Sequence, residues 1–236
     1  MSTRALRQRL ESLAMAGVTS LPKARRPRQQ VTLPPPAAAP SSPAGDDRSS
    51  ALMLLQAEVA ACQRCPELAG GRTQTVFGVG PLTPRLCFFG EAPGADEDAA
   101  GVPFVGRAGQ LLTKIIEACT LSREEVYILN VLKCRPPGNR RPEPEEVANC
   151  RPFFERQLEV LQPEFICCLG TTAAQALLGT KASMAALRQQ WFDYRGSRVI
   201  CTYHPSYLLR NPAAKRDVWE DMKRLMAAMG IEVPTR

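Results

Sequence analysis

Histidine is nearly absent from this sequence: the only one in 236 residues is His204. Any step that needs an imidazole must therefore use that ring. Long apolar runs are absent too. None approaches the ~18 residues that span a membrane, so a membrane-spanning helix is excluded. The opening "MSTRALRQRLESLAMAG" lacks the continuous apolar stretch of a secretory signal. It suits a short partner-binding helix or a disordered start better, with a transit-like role still open. Nine cysteines without an export signal point to a reducing compartment, where thiols pack as small apolar groups, react or bind metal. A cytoplasmic protein is expected.

Charge is unevenly spread. The formal net charge is +7, and residues 1–50 contribute +5 of it, with 8 Lys/Arg against 3 Asp/Glu. Residues 20–50, dense in proline, alanine and serine, cannot bury a core. Residues 1–47 are expected to be a disordered basic tail and residues 48–236 the folded domain. A basic arm suits nucleic acid, and a solubilising tail fits the composition equally well.

Four short apolar runs follow: "RLCFFG" (85–90), "VYILNV" (126–131), "FICCLG" (165–170) and "RVICTY" (198–203). They read as strands buried on both faces. Helical patterns lie before and between them, opening near Arg48 with Leu52, Leu55 and Val59 at helical spacing, then at 108–120, 142–162 and 171–179, with a last helix at 213–230. This alternation implies an α/β fold, a three-layer α/β/α sandwich around a four-stranded parallel sheet. Ligands of open parallel sheets bind beyond the carboxyl ends of the strands. The "GEAPG" loop, Asn130 and His204 all fall there.

Cys87, Cys119, Cys167, Cys168 and Cys201 lie in apolar runs and read as core. Cys62 and Cys65, in "CQRC", can grip one metal. Cys134, in the loop "KCRPPGNRRP", is badly placed for a buried thiol, and Cys150 follows on the next helix. Four thiolates can hold Zn²⁺ or a [4Fe–4S] cluster, and spacing does not choose between them.

"GEAPGADEDAAGVPFVGRAG", "LNVLKCRPPGNRRP" and "HPSYLLR", together with these four cysteines, closely resemble family four uracil-DNA glycosylases, the iron–sulfur kind, over about residues 50–230. The resemblance implies a [4Fe–4S] cluster on Cys62, Cys65, Cys134 and Cys150. It implies excision of uracil from single- or double-stranded DNA by a monofunctional enzyme that leaves an abasic site, here expected as a monomer. Such an enzyme must take the nucleotide out of the stack. Phe104 is the expected stacking face. Asn130 is the expected reader, its amide complementary to uracil O4 and N3–H. His204 is the expected donor to the charge developing on O2. Leu208 is expected to wedge into the duplex and Arg210 to hold a phosphate.

"GEAPG" supplies Glu91 and main-chain amides near the ring. Better-known uracil-DNA glycosylases carry GQDPYH there, so their aspartate falls on Ala92 and their tyrosine on Gly94. Glu91, Glu97 or Asp98 is left to orient water or to stabilise the cationic sugar, and Glu97 can also close the thymine side. There is no second histidine and no basic insert for a covalent link to DNA, so hydrolysis with turnover is expected. Two other classes stay open. One is a non-catalytic iron–sulfur DNA-binding module of a replication or repair complex. The other is a zinc-stabilised small-molecule binder. "QQVTLP" (29–34) is similar to the Gln-x-x-Leu segments that dock on bacterial sliding clamps, without their aromatic end.

Overall fold

The computed structural model describes residues 45–233. The expected disorder of the tail and its Gln-x-x-Leu segment fall outside the described residues, apart from the start of the first helix. That helix, α1, runs Gly45–Ala60. A short helix α2 (Pro66–Gly71) follows the CQRC segment. The sheet then begins with β1 (Leu86–Gly90), which leads into α3 (Ala95–Ala100) and α4 (Arg107–Ala118). Next come β2 (Tyr127–Asn130), α5 (Pro144–Leu161), β3 (Phe165–Leu169) and α6 (Thr171–Leu178). The chain continues through α7 (Met184–Leu187), β4 (Trp191–Tyr194), β5 (Ser197–Thr202), α8 (Pro205–Arg210) and α9 (Lys215–Met229). Among the described residues no helix is long and apolar enough to cross a membrane.

The four expected strands are β1, β2, β3 and β5, and they are parallel where they pair. The sheet has five strands, ordered β2-β1-β3-β5-β4, because β4 pairs antiparallel with β5 at one edge. This fifth strand is a difference from the four-stranded expectation. "WFDY" is only half-buried, so it lacks the apolar run that marks the others. Arg195 and Gly196 join β4 to β5 with φ of 51° and 89°, the double left-handed conformation of a tight hairpin turn.

Every residue of β1, β2 and β3 is buried. Successive side chains point to opposite faces, so the strands feed two separate cores. Cys87, Phe89, Leu129, Cys168 and Cys201 pack with Leu55 of α1, Phe154 of α5 and Leu177 of α6. Leu86, Phe88, Ile128, Cys167 and Ile200 pack on the other face with Leu112 and Ile116 of α4, Leu208 of α8 and Met222 and Leu225 of α9. Each such side chain contributes about 1.5–3 kcal/mol on burial. The five cysteines read as core are buried. At the far edge, Val79 exchanges main-chain hydrogen bonds with Ile128 of β2, at 3.0 and 2.8 Å.

A side chain at Gly196 would meet no atom within 4 Å, so replacing it strains the backbone alone. Gly196→Val is expected to cost about 1–2 kcal/mol. The melting temperature then drops by about 2–4 °C per kcal/mol, with the crevice at the other end of β5 unaffected. Calorimetry beside an activity assay checks both.

Candidate functional site

The parallel strands end together, and two glycines leave room there for side chains from neighbouring segments. Gly90 closes β1 in register with Asn130, which closes β2. A Cβ at residue 90 would lie 2.2 Å from Asn130 Oδ1 and 2.6 Å from the Phe104 ring. Those two side chains therefore meet over the end of β1, where only glycine fits. Past β3, Gly170 has φ of 90°, and a Cβ there would lie 3.0 Å from the Cβ of His204. The Phe104 and His204 rings sit 5.5 Å apart at 35°. The three residues expected to hold the base thus converge.

Asn130 is 1% exposed, and its Oδ1 has no hydrogen-bond partner. An unmet acceptor at that depth costs about 1–3 kcal/mol. It is satisfied only if a donor enters the crevice.

Phe104 adopts φ of 54°, a left-handed conformation that is strained for an aromatic residue. Several neighbours hold it there. Glu97 Oε1 accepts from the amides of Val105 and Gly106, both at 2.9 Å, while Oε2 accepts from the Gly94 amide at 3.0 Å. Arg123 donates to the carbonyl of Pro103. Gly109 of α4 packs on the Phe104 backbone so closely that a Cβ would lie 2.0 Å from its carbonyl carbon.

These bonds bear on three expectations. The Glu97 carboxylate accepts from three main-chain donors and so builds the Phe104 loop, filling most of its roughly four acceptor sites. Asp98 is 3% exposed, and both its oxygens accept from the Thr73 amide at 3.0 Å, so it too is structural. The Gly94 amide is occupied by Glu97 and does not point a free donor at a ring. Glu91 differs: among the described residues its half-buried side chain makes no hydrogen bond or ion pair. Ala92, beside it, packs against the first core cluster.

His204 is the N-cap of α8. Its Nδ1 accepts from the Ser206 amide at 3.1 Å and lies 2.8 Å from Ser206 Oγ. With Nδ1 an acceptor, the neutral ring carries its proton on Nε2. Burial, then the charge of Arg210, lowers its pKa to about 4, against a smaller opposing pull from Glu97.

α8 also corrects the expected wedge. Pro205 and Leu208, three residues apart, form its inner face, and Leu208 is 1% exposed in the second core cluster. Tyr207 and Leu209 are the exposed apolar side chains, each 38% exposed. Arg210 is exposed beside them, as expected.

The four remaining cysteines converge. Cys62, Cys65, Cys134 and Cys150 line one pocket with Arg72 and Asn149. Cys134 is buried despite its polar loop, because Leu132 and Lys133 before it are buried as well. Arg72 donates to Cys134 Sγ at 3.1 Å, and Asn149 to Cys65 Sγ at 3.5 Å. Arg140 pairs with Glu146 of α5 at 2.7 Å and Glu67 of α2 at 2.9 Å, tying together the segments that carry Cys134, Cys150 and Cys65. Burial pushes the Cys65 and Cys134 thiols up and the Cys150 thiol up to about 11. Metal binding to such thiols releases their protons.

No three His, Cys, Asp or Glu side chains among the described residues are grouped to hold a single metal ion. Four thiols lining one pocket are a donor set that fits Zn²⁺ or an iron–sulfur cluster.

Sequence reasoning passed over Arg72, Asn149, Arg140 and, above all, Lys133. The Lys133 side chain is 1% exposed, and Nζ donates to the carbonyls of Asn130 at 2.9 Å and Phe77 at 3.2 Å. A lone cation inside the apolar stretch "NVLKC" is the signal that was available.

An unfolded histidine protonates near 6.5, whereas folded His204 stays neutral down to about 4. Stability therefore falls as pH drops through that window. As the only histidine, His204 gives one ring signal. NMR titration is expected to show no protonation above about pH 5; a midpoint near 6.5 would mean an exposed ring.

The profile described as "Uracil DNA glycosylase superfamily" matches residues 77–223, from the segment before β1 to α9. A type-4 uracil-DNA glycosylase of Thermotoga maritima is 46% identical over 175 residues, covering 72% of this chain and 91% of that protein. One from Archaeoglobus fulgidus is 41% identical over 186 residues, covering 75% of this chain and 93% of its own. A type-5 uracil-DNA glycosylase of Pyrobaculum aerophilum is 32% identical over 179 residues, covering 62% and 79%. With these relatives matching nearly the whole described domain, the chain belongs to the uracil-DNA glycosylase superfamily, in its type-4 family.

Proposed function

We propose that this protein is a DNA repair enzyme that hydrolyses the N-glycosidic bond of uracil in DNA. The observation that carries this reading is the unpaired, buried Oδ1 of Asn130 beside Phe104 and His204. Uracil N3–H donates to that oxygen, and the amide nitrogen donates to O4. Cytosine offers the opposite pattern and leaves buried groups unpaired, at about 1–3 kcal/mol each. The base stacks on Phe104, whose loop is held before the ligand arrives, so little ordering is left for the moment of binding.

The C1′–N1 bond breaks and its electron pair leaves with the ring, spread toward O2. His204 Nε2–H meets that charge as a neutral donor. Water bonds to C1′, and its proton is finally carried by the released base. Glu91 is the carboxylate left free to orient that water, since Glu97 and Asp98 are committed to main-chain amides. Cys62, Cys65, Cys134 and Cys150 would hold a [4Fe–4S] cluster, which would tie the segment before α2 and the loop after β2 to α5.

Incubation with uracil-containing and matched thymine-containing oligonucleotides is expected to give free uracil and alkali-labile sites from the first alone. Binding without release would leave a non-catalytic DNA-binding module instead. His204→Ala is expected to slow single-turnover excision by about 10²–10³-fold, equally on single and double strands. Recovery of wild-type rates in that variant would remove His204 from the chemistry.

The exposed tip of α8 suits the place vacated in a duplex, with Leu209 as the apolar wedge and Arg210 near a phosphate. Leu209→Ala is expected to lose activity mainly on duplex substrates, more on U·A than on U·G, and little on single strands. Leu208→Ala instead lowers the melting temperature, through a cavity costing about 2–5 kcal/mol. Equal losses for Leu209→Ala on all three substrates would rule out a wedge.

A further inference from the structure

Tyr207 of α8 is the one exposed aromatic side chain among the described residues, at 38%. It stands one helical turn beyond His204, and its amide donates to the His204 carbonyl at 2.9 Å. The ring is braced from below. It lies against Tyr203, with centroids 4.9 Å apart and planes at 30°, within the offset-stacked range of aromatic pairs. The Arg188 guanidinium sits 4.6 Å over the Tyr203 ring. Arg188 is buried, and its Nε donates to Asp221 Oδ2 at 2.7 Å, an oxygen that also accepts from Thr202 Oγ1 at 2.6 Å. A second bond from Arg188, to the Asp217 carbonyl at 2.7 Å, fastens the guanidinium to α9. Tyr207 is thus the outer end of a chain of contacts rooted in a buried ion pair.

None of the steps above uses that ring. A fixed aromatic side chain left in solvent suits base stacking: every base has a π face, and a ring already ordered loses little freedom on binding. Its place on α8 narrows which base. At 3.6 residues per turn, Tyr207 and Leu209 stand about 160° apart around the helix, so the two cannot enter the same gap in DNA. Three residues, the spacing of His204 and Tyr207, advance about 4.5 Å along a helix. Neighbouring bases of one strand are about 3.4 Å apart. The base beside an extruded uracil has also lost a stacking partner, because the uracil has left the stack. Arg210, exposed on the same helix, is a cation available to that strand's phosphates.

We propose that Tyr207 is a stacking platform for the base adjacent to the extruded uracil on the same strand, its ring kept in place by the contacts through Tyr203, Arg188 and Asp221. This rests on the glycosylase reading above. The platform needs no partner strand, so it serves single-stranded and duplex DNA alike, whereas a wedge at Leu209 serves duplex DNA.

The test uses the full iron-loaded chain and oligonucleotides carrying 2′-fluoro-deoxyuridine, in which the electron-withdrawing fluorine slows loss of the base. The fluorescent base 2-aminopurine, dim when stacked and bright when not, is placed on the 5′ side of the uracil, on its 3′ side, or opposite it in a duplex. On wild-type protein one of the two neighbour positions is expected to stay dim, in single strands as in duplexes, and Tyr207→Leu is expected to brighten it. Affinity for the single strand is expected to fall about ten-fold in Tyr207→Leu, within the range of one base–aromatic stack, and to return in Tyr207→Phe and Tyr207→Trp. A tyrosine that only packed on Tyr203 would lower the melting temperature and leave both neighbour positions as they were, which overturns the proposal. Wild-type protein that leaves both neighbours bright overturns it whether or not the variants fold. A change confined to the position opposite the uracil would assign Tyr207 to the partner strand and overturns it as well. Wild-type protein that releases no uracil from ordinary substrate overturns the glycosylase reading, an outcome separate from release of uracil with no stacked neighbour.

Discussion

The crevice exists because residue 90 has no side chain. Gly90 ends the strand between β2 and β3, and the volume a methyl group would fill there is shared by the Asn130 amide and the Phe104 ring. Any other residue pushes one of them out, and with it one of the two side chains that the proposed function assigns to holding the base. The strand pairing sets up this contact. The parallel register places Gly90 level with Asn130, and the loop after α3 brings Phe104 over both.

Carboxylates near the crevice are used mainly as anchors. Three main-chain donors on one glutamate fix a loop whose central residue carries backbone strain of about 1–3 kcal/mol, and a buried aspartate fixes the segment at Thr73. The groups that the proposed function sets against the base are then neutral: an amide, a phenyl ring and an uncharged imidazole. Such a site discriminates by the pattern of donors and acceptors and by shape, with little reliance on ion pairing.

The layered architecture was legible because strands covered on both faces must be apolar throughout, and runs such as "FICCLG" have few other readings. β4 was not, since a half-exposed edge strand carries no such run and its turn uses Arg-Gly where Asn-Gly is the stronger signal. Phe104, Asn130 and His204 could be placed from their positions beside strand ends and from the family resemblance. The carboxylates could not, because an acid's letter does not say whether backbone amides already bind it. The choice between Leu208 and Leu209 turned on one residue in a helix of six, too short for periodicity to orient. Cys134 was misread as a poor buried thiol because charged and proline-rich stretches read as solvent-facing, yet it is buried at the start of one. Lys133 was missed because a single cation at the end of an apolar run reads as its solvent-facing boundary.

The two ends of the sheet have a consequence for how the molecule behaves in a crowded solution. A strand with unpaired amides and carbonyls can recruit a strand from another chain. At β2 this is obstructed by the Val79 bridge, and at the opposite margin the chain presents only the four residues of β4, closed by a tight turn. The middle strand of the five, β3, is "FICCL", uncharged and without proline or glycine, a composition that stacks readily when exposed. The hairpin that the apolar pattern did not announce thus acts as a guard: it keeps that run two strands away from one margin, and the β1–β2 pair does the same at the other.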